Sequence, residues 1–380
     1  MNAHRVVLVV AAAMLFVPAA RGQQFDRRSR EEPEIVVEAG GRVGTCDVLR
    51  FAPDGRFLYA AGDDKVVRVW PHSARGLDTE RGKVQVLRWR AWREQRGGIK
   101  AVALSPDGKR FAVGGYGMKP STVAVLDRAT GDTVALTWPE TREGDANFNV
   151  VTAVAFHPDG RVGFGTADGS LWIWDPEPLK APDKLGRTAA LPRRVGRHDL
   201  PKLETGPAEF NFPRLIDFPT KDQLRSVAQS GQVYECPLVS AVPDAPDRAP
   251  PGKVLFYTHD GQPADSVFRA ERIDGGKWLA LANDGPRVLL RSTDGKDTIV
   301  LPLGDDRYPR SIAWHPKTRQ LAVGVARVLP EVKGVRFYSE GADEVWLYDD
   351  PIKNRTAKPT KLPFAGRAEA LAFHPTEPHL

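Results

Sequence analysis

The sequence predicts an all-β protein: a β-propeller with six full four-stranded blades and an incomplete seventh blade that the N-terminal strand closes in part. Three observations predict this fold. A pattern of about 50 residues recurs along the chain, with apolar residues alternating with polar ones as in half-buried strands. The clearest copies share a Pro-Asp-Gly turn, and beyond the N-terminus no segment keeps the apolar spacing of a helix. Short strands repeated at this period are typical of propellers.

The composition fits such a chain of strands and turns. Of 380 residues, 41% are hydrophobic and 27% are charged, which excludes wholesale disorder and a coiled-coil rod. The 35 Gly and 32 Pro suit many turns. Two cysteines exclude a disulfide scaffold and a Cys-rich zinc module. Cys46 and Cys236 fall in non-adjacent copies, so we expect two free thiols. The net charge of +6 permits an acidic partner without requiring one.

The first residues predict export. Residues 1–22 have the features of a signal peptide: a short basic start, the apolar run Val6–Val17, and small residues before a cut at Gln23. That run is shorter than the ~20 residues a membrane-spanning helix needs, and no later run approaches that length. An uncleaved anchor is the alternative. Residues 23–33 are polar and predict a flexible lead-in, so we expect a periplasmic or extracellular protein without a membrane span after cleavage.

The repeated domain occupies residues 34–380. Its copies begin with an alternating strand, and they are found at 46–70, 99–127, 151–175, 214–238, 266–292, 310–350 and 368–380. The turn after this strand has a physical logic, because Pro fixes φ, Asp bonds its own backbone and Gly accepts a positive φ. Second and third strands follow in each complete copy. A looser fourth strand is predicted at Val84–Trp89, Thr133–Trp138, Lys253–Tyr257 and Thr298–Leu303.

The seventh blade is predicted from two single strands. Glu369–His374 begins the pattern again, and Glu34–Glu38 is an isolated apolar strand that would form the outer edge of the same blade. The other two strands of this blade are missing, so either the natural chain continues or something else closes the ring. Two segments are predicted insertions, the Pro- and Arg-rich 176–213, in which we expect Arg187 to be exposed, and the blade-six loop 326–342. Each is either functional or a tolerated surface insertion.

The repeat resembles the WD40 family. The likeness rests on the Pro-Asp-Gly turns, on Asp64 and Asp168 before the third strand, and on strand ends such as Trp174. The resemblance implies that both Asp side chains brace their own blades. The Gly-His pair usual before the first strand is absent from every copy. Some copies also resemble YVTN-type and TolB-like repeats, and the whole resembles exported WD40-like proteins of planctomycete-type bacteria.

No catalytic, cofactor or metal motif is present in the sequence, so we expect no cofactor and no catalytic residues. His157, His315 and His374 occupy the same slot before a turn Pro, where other copies have Ala52 or Ser105. A slot that repeats around a ring keeps its members apart, so turn capping is favoured over metal ligation. The Asp-rich turns lack the alternating oxygen spacing of a dedicated Ca²⁺ loop.

Two groups of basic residues form a candidate interaction rim: Arg88, Arg90, Arg93, Arg96, Arg193, Arg194 and Arg197. Basic residues interleaved with tryptophans can bind phosphate and stack on bases. An exported protein rarely meets nucleic acid, so an acidic partner protein or polysaccharide is the more plausible ligand of such a rim. The favoured interpretation is that these charges protect an outer strand from pairing, and cation–π pairing within the blade is the remaining one.

Three functions are consistent with the sequence. The first is an exported, non-catalytic scaffold that binds another protein. The second is the N-terminal sensor or scaffold portion of a larger enzyme of the peptidase or kinase fusion type. The third is a metal-dependent hydrolase or lactonase with its metal in the propeller channel. The innermost strands offer few ligands for such a metal, with Asp47, Asp217 and Glu369 as the exceptions.

Overall fold

Each predicted full blade is a four-stranded antiparallel sheet in the computed structural model. The description covers the following residues: 45–80, 83–90, 98–140, 149–179, 181–182, 186–200, 202–203, 206–207, 210–238, 252–258, 266–332, 335–338, 343–364, 366–377 and 380. The predicted signal peptide 1–22, the lead-in 23–33 and the predicted strand Glu34–Glu38 lie outside these ranges. Among the described residues, no helix has the length and apolar character to span a membrane.

The strands are, in chain order, β1 Cys46–Phe51, β2 Phe57–Gly62, β3 Val66–Ser73, β4 Gly76–Leu77, β5 Gln85–Arg88, β6 Ile99–Leu104, β7 Arg110–Gly115, β8 Thr122–Asp127, β9 Thr133–Thr137, β10 Val151–Phe156, β11 Val162–Thr166, β12 Ser170–Trp174, β13 Arg193–Arg197, β14 Lys202–Leu203, β15 Gly206–Pro207, β16 Pro213–Thr220, β17 Gln223–Ala228, β18 Gln232–Pro237, β19 Lys253–Tyr257, β20 Val267–Ile273, β21 Trp278–Asn283, β22 Arg287–Ser292, β23 Thr298–Pro302, β24 Arg307–Trp314, β25 Gln320–Val332, β26 Val335–Tyr338, β27 Glu344–Asp349 and β28 Thr360–Pro363.

These strands form six blades in chain order. From inner to outer strand the blades are β1-β2-β3-β5, β6-β7-β8-β9, β10-β11-β12-β13, β16-β17-β18-β19, β20-β21-β22-β23 and β24-β25-β27-β28. Two short strands extend blades, since β4 pairs with β3 and β26 pairs with β25, and β14 and β15 form a separate hairpin. The innermost strands of successive blades contact each other. The six predicted full blades are confirmed.

The core lies between blades. Every residue of the second strand β2 is buried, because each face of a blade packs on a neighbour. On one face of blade 1, the rings of Phe57 and Tyr59 contact Phe111 of blade 2 at centroid distances of 6.5 and 5.0 Å. Aromatic pairs at such distances contribute about 0.5–1.5 kcal/mol beyond the area they bury.

The predicted insertions are partly blade structure. Residues 176–213 include β13, which is the fourth strand of blade 3, so the prediction of a pure insertion is wrong there. Arg187 in this segment is buried and its guanidinium lies 5.8 Å from the ring centroid of Trp138, which corrects the expectation of exposure. Residues 326–342 carry the end of β25 and all of β26, which pair as a hairpin that extends blade 6.

Among the described residues, a single segment lies between blade 6 and blade 1. Ala368 and Phe373 are buried with the blade 6 residues Ala313, Ala322 and Val345. The predicted first strand of a seventh blade, Glu369–His374, therefore lies where a seventh blade would begin, but it forms no strand pairing among the described residues. The seventh blade stays a prediction. We call residues 366–377 the junction segment.

Candidate functional site

The innermost strands of all six blades and residues 369–371 line one central channel. Its volume is about 150 Å³. Sites for small-molecule ligands usually enclose roughly 300–1,000 Å³. The channel is therefore small for a substrate and large enough for a side chain that enters from outside.

Each innermost strand has a β-bulge near its first residue, where the pairing with the second strand shifts register. A bulge inserts one residue and re-aims its side chain. The inserted residues are Asp47, Lys100, Thr152, Arg214, Phe268 and Arg310. The first four line the channel. We call this end of the channel the mouth, and it is strongly charged because four of its six inserted residues are ionisable.

On blades 1 and 2 the charges of the mouth are paired. The Nζ atom of Lys100 lies 3.0 Å from Oδ2 of Asp47 and 2.8 Å from Oδ1 of Asp63. Burial alone would lower the pKa of Lys100, but the two carboxylates outweigh it and raise the pKa above its ordinary value. This lysine is therefore held as a cation whose charge is already compensated.

On blade 6 the mouth is paired in the same way. Nη1 of Arg310 donates to Oε1 of Glu369 at 2.9 Å, and its Nε lies 3.1 Å from Oδ2 of Asp343. The same Asp343 oxygen accepts the backbone N–H of Ala368 at 2.7 Å. Because Glu369 and Ala368 belong to the junction segment, these bonds attach it to blade 6.

Blades 4 and 5 differ, because they carry two arginines without a close carboxylate. Arg214 donates from Nε to the carbonyl of Val267 at 3.1 Å and from Nη2 to Oε1 of Gln229 at 2.9 Å. Arg269 comes no closer to a described carboxylate than 4.0 Å, to Oδ1 of Asp47. Burial and the neighbouring charge of Arg269 lower the pKa of Arg214 to about 10, which Asp47 opposes. We call Arg214 and Arg269 the arginine pair.

Three carboxylates near the strand starts were named from the sequence as possible metal ligands, and all of them lie close to cations. Asp47 contacts Lys100, Glu369 contacts Arg310, and Asp217 lies 3.2 Å from Nε of Arg225 and 3.1 Å from Nη1 of Arg272. Deeper in the channel Glu271 lies 3.7 Å from Nη1 of Arg50, and burial raises its pKa. A metal would have to displace these cations, since carboxylate ligands must offer free oxygens.

Asp64 and Asp168 bond within their own blades. Oδ2 of Asp64 accepts Nε of Arg68 at 3.2 Å, and both side chains are buried. Oδ1 of Asp168 accepts the hydroxyl of Thr166 at 2.6 Å and the N–H of Ser170 at 3.1 Å. These bonds tie the second strand to the third.

The three turn histidines join each turn to the next blade. Nε2 of His157 lies 2.9 Å from the carbonyl of Lys221, while its Nδ1 accepts the N–H of Asp159 at 3.2 Å. His315 repeats this with the carbonyl of Glu377 at 2.8 Å. His374 repeats it with the carbonyl of Gly55 at 3.1 Å. The junction segment is therefore linked to both of its neighbours by the bond that links blade 3 to blade 4.

One cluster of possible metal ligands occurs in the described part of the chain. Ligand atoms of His72, His374 and Glu377 lie within 4.8 Å of one another. However, Nδ1 of His374 accepts the N–H of Glu377 at 3.0 Å and its Nε2 donates to Gly55. A neutral imidazole offers a metal only one lone pair, and the backbone already uses it.

The described members of the candidate basic rim lie on two blades. Arg88 ends the outer strand of blade 1 and Arg90 follows it, both of them exposed, and Arg93 and Arg96 lie outside the described residues. Arg193, Arg194 and Arg197 lie on the outer strand of blade 3, and blade 2 separates the two groups. Two of these arginines serve the fold, since Arg193 donates to the carbonyl of Leu238 at 3.1 Å and Arg197 to that of Asp168 at 3.2 Å.

His198 was not predicted from the sequence as a residue that joins two blades, because no adjacent Gly-His pair marks it. It follows β13 in the run Gly196-Arg197-His198 and is fully buried. Its ring nitrogens lie 2.9 Å from Oε1 of Gln232 and 2.9 Å from the hydroxyl of Ser226, both in blade 4. Burial lowers the pKa of His198 to about 4. Both side chains of this Ser-His pair are buried, so neither is exposed to a substrate in solvent.

Both cysteines are free thiols. Cys236 is buried between blades 3 and 4, and burial raises its pKa to about 12. Cys46 is half-buried, and its Sγ lies 3.2 Å from the carbonyl of Val48. A buried neutral thiol is unreactive, which agrees with a structural place for Cys236.

A second, wider cavity of about 670 Å³ opens beside the junction segment. Blade 1 contributes apolar side chains, among them Leu58, Trp70 and Leu77, and the junction segment contributes Arg367 and Glu369. The cavity lies beside the place where the seventh blade is predicted.

Comparison with known proteins agrees with this architecture. A family model described as "WD domain, G-beta repeat" matches residues 38–71 and 140–175. The chain is 26% identical over 297 residues to Protein HIR1 of Cryptococcus neoformans var. neoformans serotype D, an alignment that covers 72% of this chain and 30% of that protein. It is 32% identical over 137 residues to a guanine nucleotide-binding protein subunit beta of Oryza sativa subsp. indica, covering 34% and 32%. The chain thus spans about a third of the length of these curated relatives.

Two solved structures share the fold. The β-propeller domain of Cps50 (Swd1) from Myceliophteria thermophila has a TM-score of 0.55 at 12% identity, covering 88% of this chain and 91% of that one. Kuenenia stuttgartiensis hydrazine synthase has a TM-score of 0.53 at 14% identity, covering 90% and 94%. Residues 38–71 and 140–175 thus match WD40 repeats, and the chain folds as a β-propeller.

Proposed function

We propose that this WD40-repeat β-propeller is an exported, non-catalytic scaffold that binds another protein. The observation that carries the proposal is the mouth of the channel. Six blades, held together by buried apolar faces and blade-to-blade histidines, present a rigid ring of polar side chains there. A preorganised surface lowers the entropic cost of binding, which is what a scaffold needs.

Three observations support a non-catalytic role. The channel is small for a substrate, and the acidic side chains that line it, Asp47, Glu271 and Glu369, are already engaged by lysine or arginine. The Ser-His pair at His198 is fully buried. The relative from Oryza sativa is named a subunit, a word that describes a part of an assembly.

Export belongs to the proposal because residues 1–22 have the three parts of a signal peptide. The test is the intact mass of the natively produced protein together with its terminal peptides. We expect an N-terminus at Gln23. An N-terminus at Met1 in the cytosolic fraction would refute export, and a C-terminal peptide beyond Leu380 that contains a catalytic domain would favour the larger enzyme.

The scaffold itself is tested by crosslinking the tagged full chain in the cells that produce it, followed by reconstitution with the purified crosslinked protein. We expect a complex of defined stoichiometry that an unrelated tagged exported protein does not form. Elemental analysis of the same preparation addresses the metal-dependent hydrolase. One bound Zn²⁺ or Ca²⁺ per chain, with hydrolytic activity that a chelator removes, would contradict a non-catalytic role.

A further inference from the structure

We propose that the arginine pair, Arg214 and Arg269, binds a carboxylate side chain from an acidic segment of the partner protein, which enters the channel through the mouth. This inference rests on the proposed scaffold function and names the chemistry of its partner. It differs from the basic rim, which lies on outer strands, because the pair lies on the innermost strands of blades 4 and 5.

The geometry of Arg214 is fixed before any ligand arrives. Two of its nitrogens donate to Val267 and Gln229, and its guanidinium lies 5.1 Å from the ring centroid of Phe212. A guanidinium held in this way loses little conformational freedom when it binds a carboxylate. Such preorganisation is expected of a binding group and unnecessary for a solvated surface charge.

The positive charge of the arginine pair is less well compensated by nearby carboxylates than that of the other cations at the mouth, Lys100 and Arg310. Lys100 has two carboxylates within 3.0 Å, and Arg310 has two within 3.1 Å. Arg214 has none within 4.0 Å among the described residues, and Arg269 reaches Asp47 at 4.0 Å, beyond hydrogen-bond distance. Two neighbouring cations in a half-buried place repel each other, and an anion placed between them removes that cost.

The small volume of the channel and the charged groups around the arginine pair favour a single acidic side chain as the ligand. The channel volume of about 150 Å³ is below the usual range for a small-molecule site. Asp47 is the competing anion inside the protein, since it faces both Lys100 and Arg269. The pair therefore fits a carboxylate that replaces this long contact with direct charge-assisted bonds.

The test is fluorescence anisotropy of a dye-labelled hexaglutamate peptide titrated with the folded full chain at low salt, with hexaglutamine as the uncharged probe. Arg269→Gln is expected to weaken hexaglutamate binding about tenfold, which corresponds to about 1.4 kcal/mol. The matched control is Arg272→Gln, because Arg272 lies on the same strand with the same side-chain exposure of 34% but is paired with Asp217. We expect this control to bind like the parent chain.

Asp47→Asn is a second variant whose expected result, tighter binding of hexaglutamate, cannot come from a folding defect. Removing the competing anion should tighten hexaglutamate binding about three- to tenfold, because the arginine pair then faces the peptide without Asp47, and Lys100 keeps only Asp63 as its partner. Inorganic phosphate and acetate are each added as competitors at millimolar concentration. If phosphate displaces the peptide at a much lower concentration than acetate does, the site binds phosphate and the carboxylate assignment is overturned.

Equal weakening by Arg269→Gln and Arg272→Gln, or no tightening by Asp47→Asn, would also overturn the proposal. The reconstituted partner separates this failure from that of the scaffold. If the partner binds the parent chain, Arg269→Gln and Asp47→Asn with one affinity, the scaffold function stands and the site at the arginine pair is wrong. If no partner binds the parent chain, the scaffold function fails by itself.

Discussion

The junction between blades 3 and 4 and the junction between blades 6 and 1 use the same turn bond but different packing. At the first, His157 bonds blade 4, and apolar side chains of two complete sheets bury one another, among them Leu171 and Leu224. At the second, His315 and His374 make equivalent bonds, but of the described residues only the junction segment lies between the sheets. A cavity of about 670 Å³ opens beside it.

The difference indicates that the turn histidines set the spacing between blades, while the buried apolar faces supply most of the stability. Burying one Leu side chain contributes about 1.5–3 kcal/mol to the free energy of unfolding, compared with about 1 kcal/mol for one hydrogen bond. The junction between blades 3 and 4 has both contributions along several strands. The junction between blades 6 and 1 depends on a few buried residues and on its polar bonds. We therefore expect blades 6 and 1 to separate before blades 3 and 4 do.

The largest predicted effect is a difference in the free energy of unfolding between two variants, each of which truncates one leucine at one junction. Leu224→Ala removes a fully buried side chain between blades 3 and 4 and should lower the free energy of unfolding by about 2–5 kcal/mol. Leu371→Ala removes a half-buried side chain of the junction segment and should cost about 1 kcal/mol. Denaturant unfolding measures both. Equal costs would mean that the two junctions are packed equally and would contradict the comparison.

The next effect is a pH dependence at the first junction. The pKa of buried His198 is lowered to about 4, below the ordinary value of about 6.5, so folding favours its neutral form. The stability that this provides is present above about pH 6.5 and is lost as the pH falls towards 4. The loss reaches up to about 3 kcal/mol, since one pKa unit corresponds to about 1.36 kcal/mol.

His198→Asn tests this origin. The variant should be less stable at pH 7.5, because Ser226 or Gln232 loses a partner, but its free energy of unfolding should fall less than that of the parent between pH 6.5 and 4. Denaturant unfolding at half-unit pH steps gives both curves. If the two curves run parallel through this window, the pH dependence does not come from His198.

Much of the scaffold could be predicted from the sequence, because propeller strands repeat an apolar pattern. Strand β19 has the predicted bounds Lys253–Tyr257, whereas β13 was taken for insertion because Val195 is its single large apolar residue. Arg187 was predicted to be exposed because its segment is rich in Pro and Arg, but it packs on Trp138. Polar composition does not exclude a place between blades.

The candidate site was predicted less well. Asp64 and Asp168 could be identified by resemblance, but the mouth depends on bulges, and a bulge is defined by the pairing of two strands. Lys100 and Arg214 sit in sequences that look like any alternating strand. Only the register with β7 and β17 shows that both are inserted residues near the same end of the channel.

The smallest predicted effect isolates the contact between the junction segment and blade 1. Gly55 and Gly108 occupy equivalent Pro-Asp-Gly turns with the same φ of 70°. Replacing either with Ala costs about 1 kcal/mol or somewhat more, because a side chain is strained at positive φ. A Cβ at Gly108 meets nothing within 4 Å, whereas a Cβ at Gly55 would overlap the ring of His374.

Gly55→Ala should therefore be less stable than Gly108→Ala by about 1–2 kcal/mol, because His374 must leave its bond to the Gly55 carbonyl. Hydrogen exchange should show faster opening of residues 366–377 in Gly55→Ala only, since the bond of His315 to Glu377 cannot hold both ends of the segment. Equal stability of the two variants would mean that the turn geometry alone sets the cost. In that case His374 would contribute little to the closure of the ring, and the buried pair Ala368 and Phe373 would hold the segment.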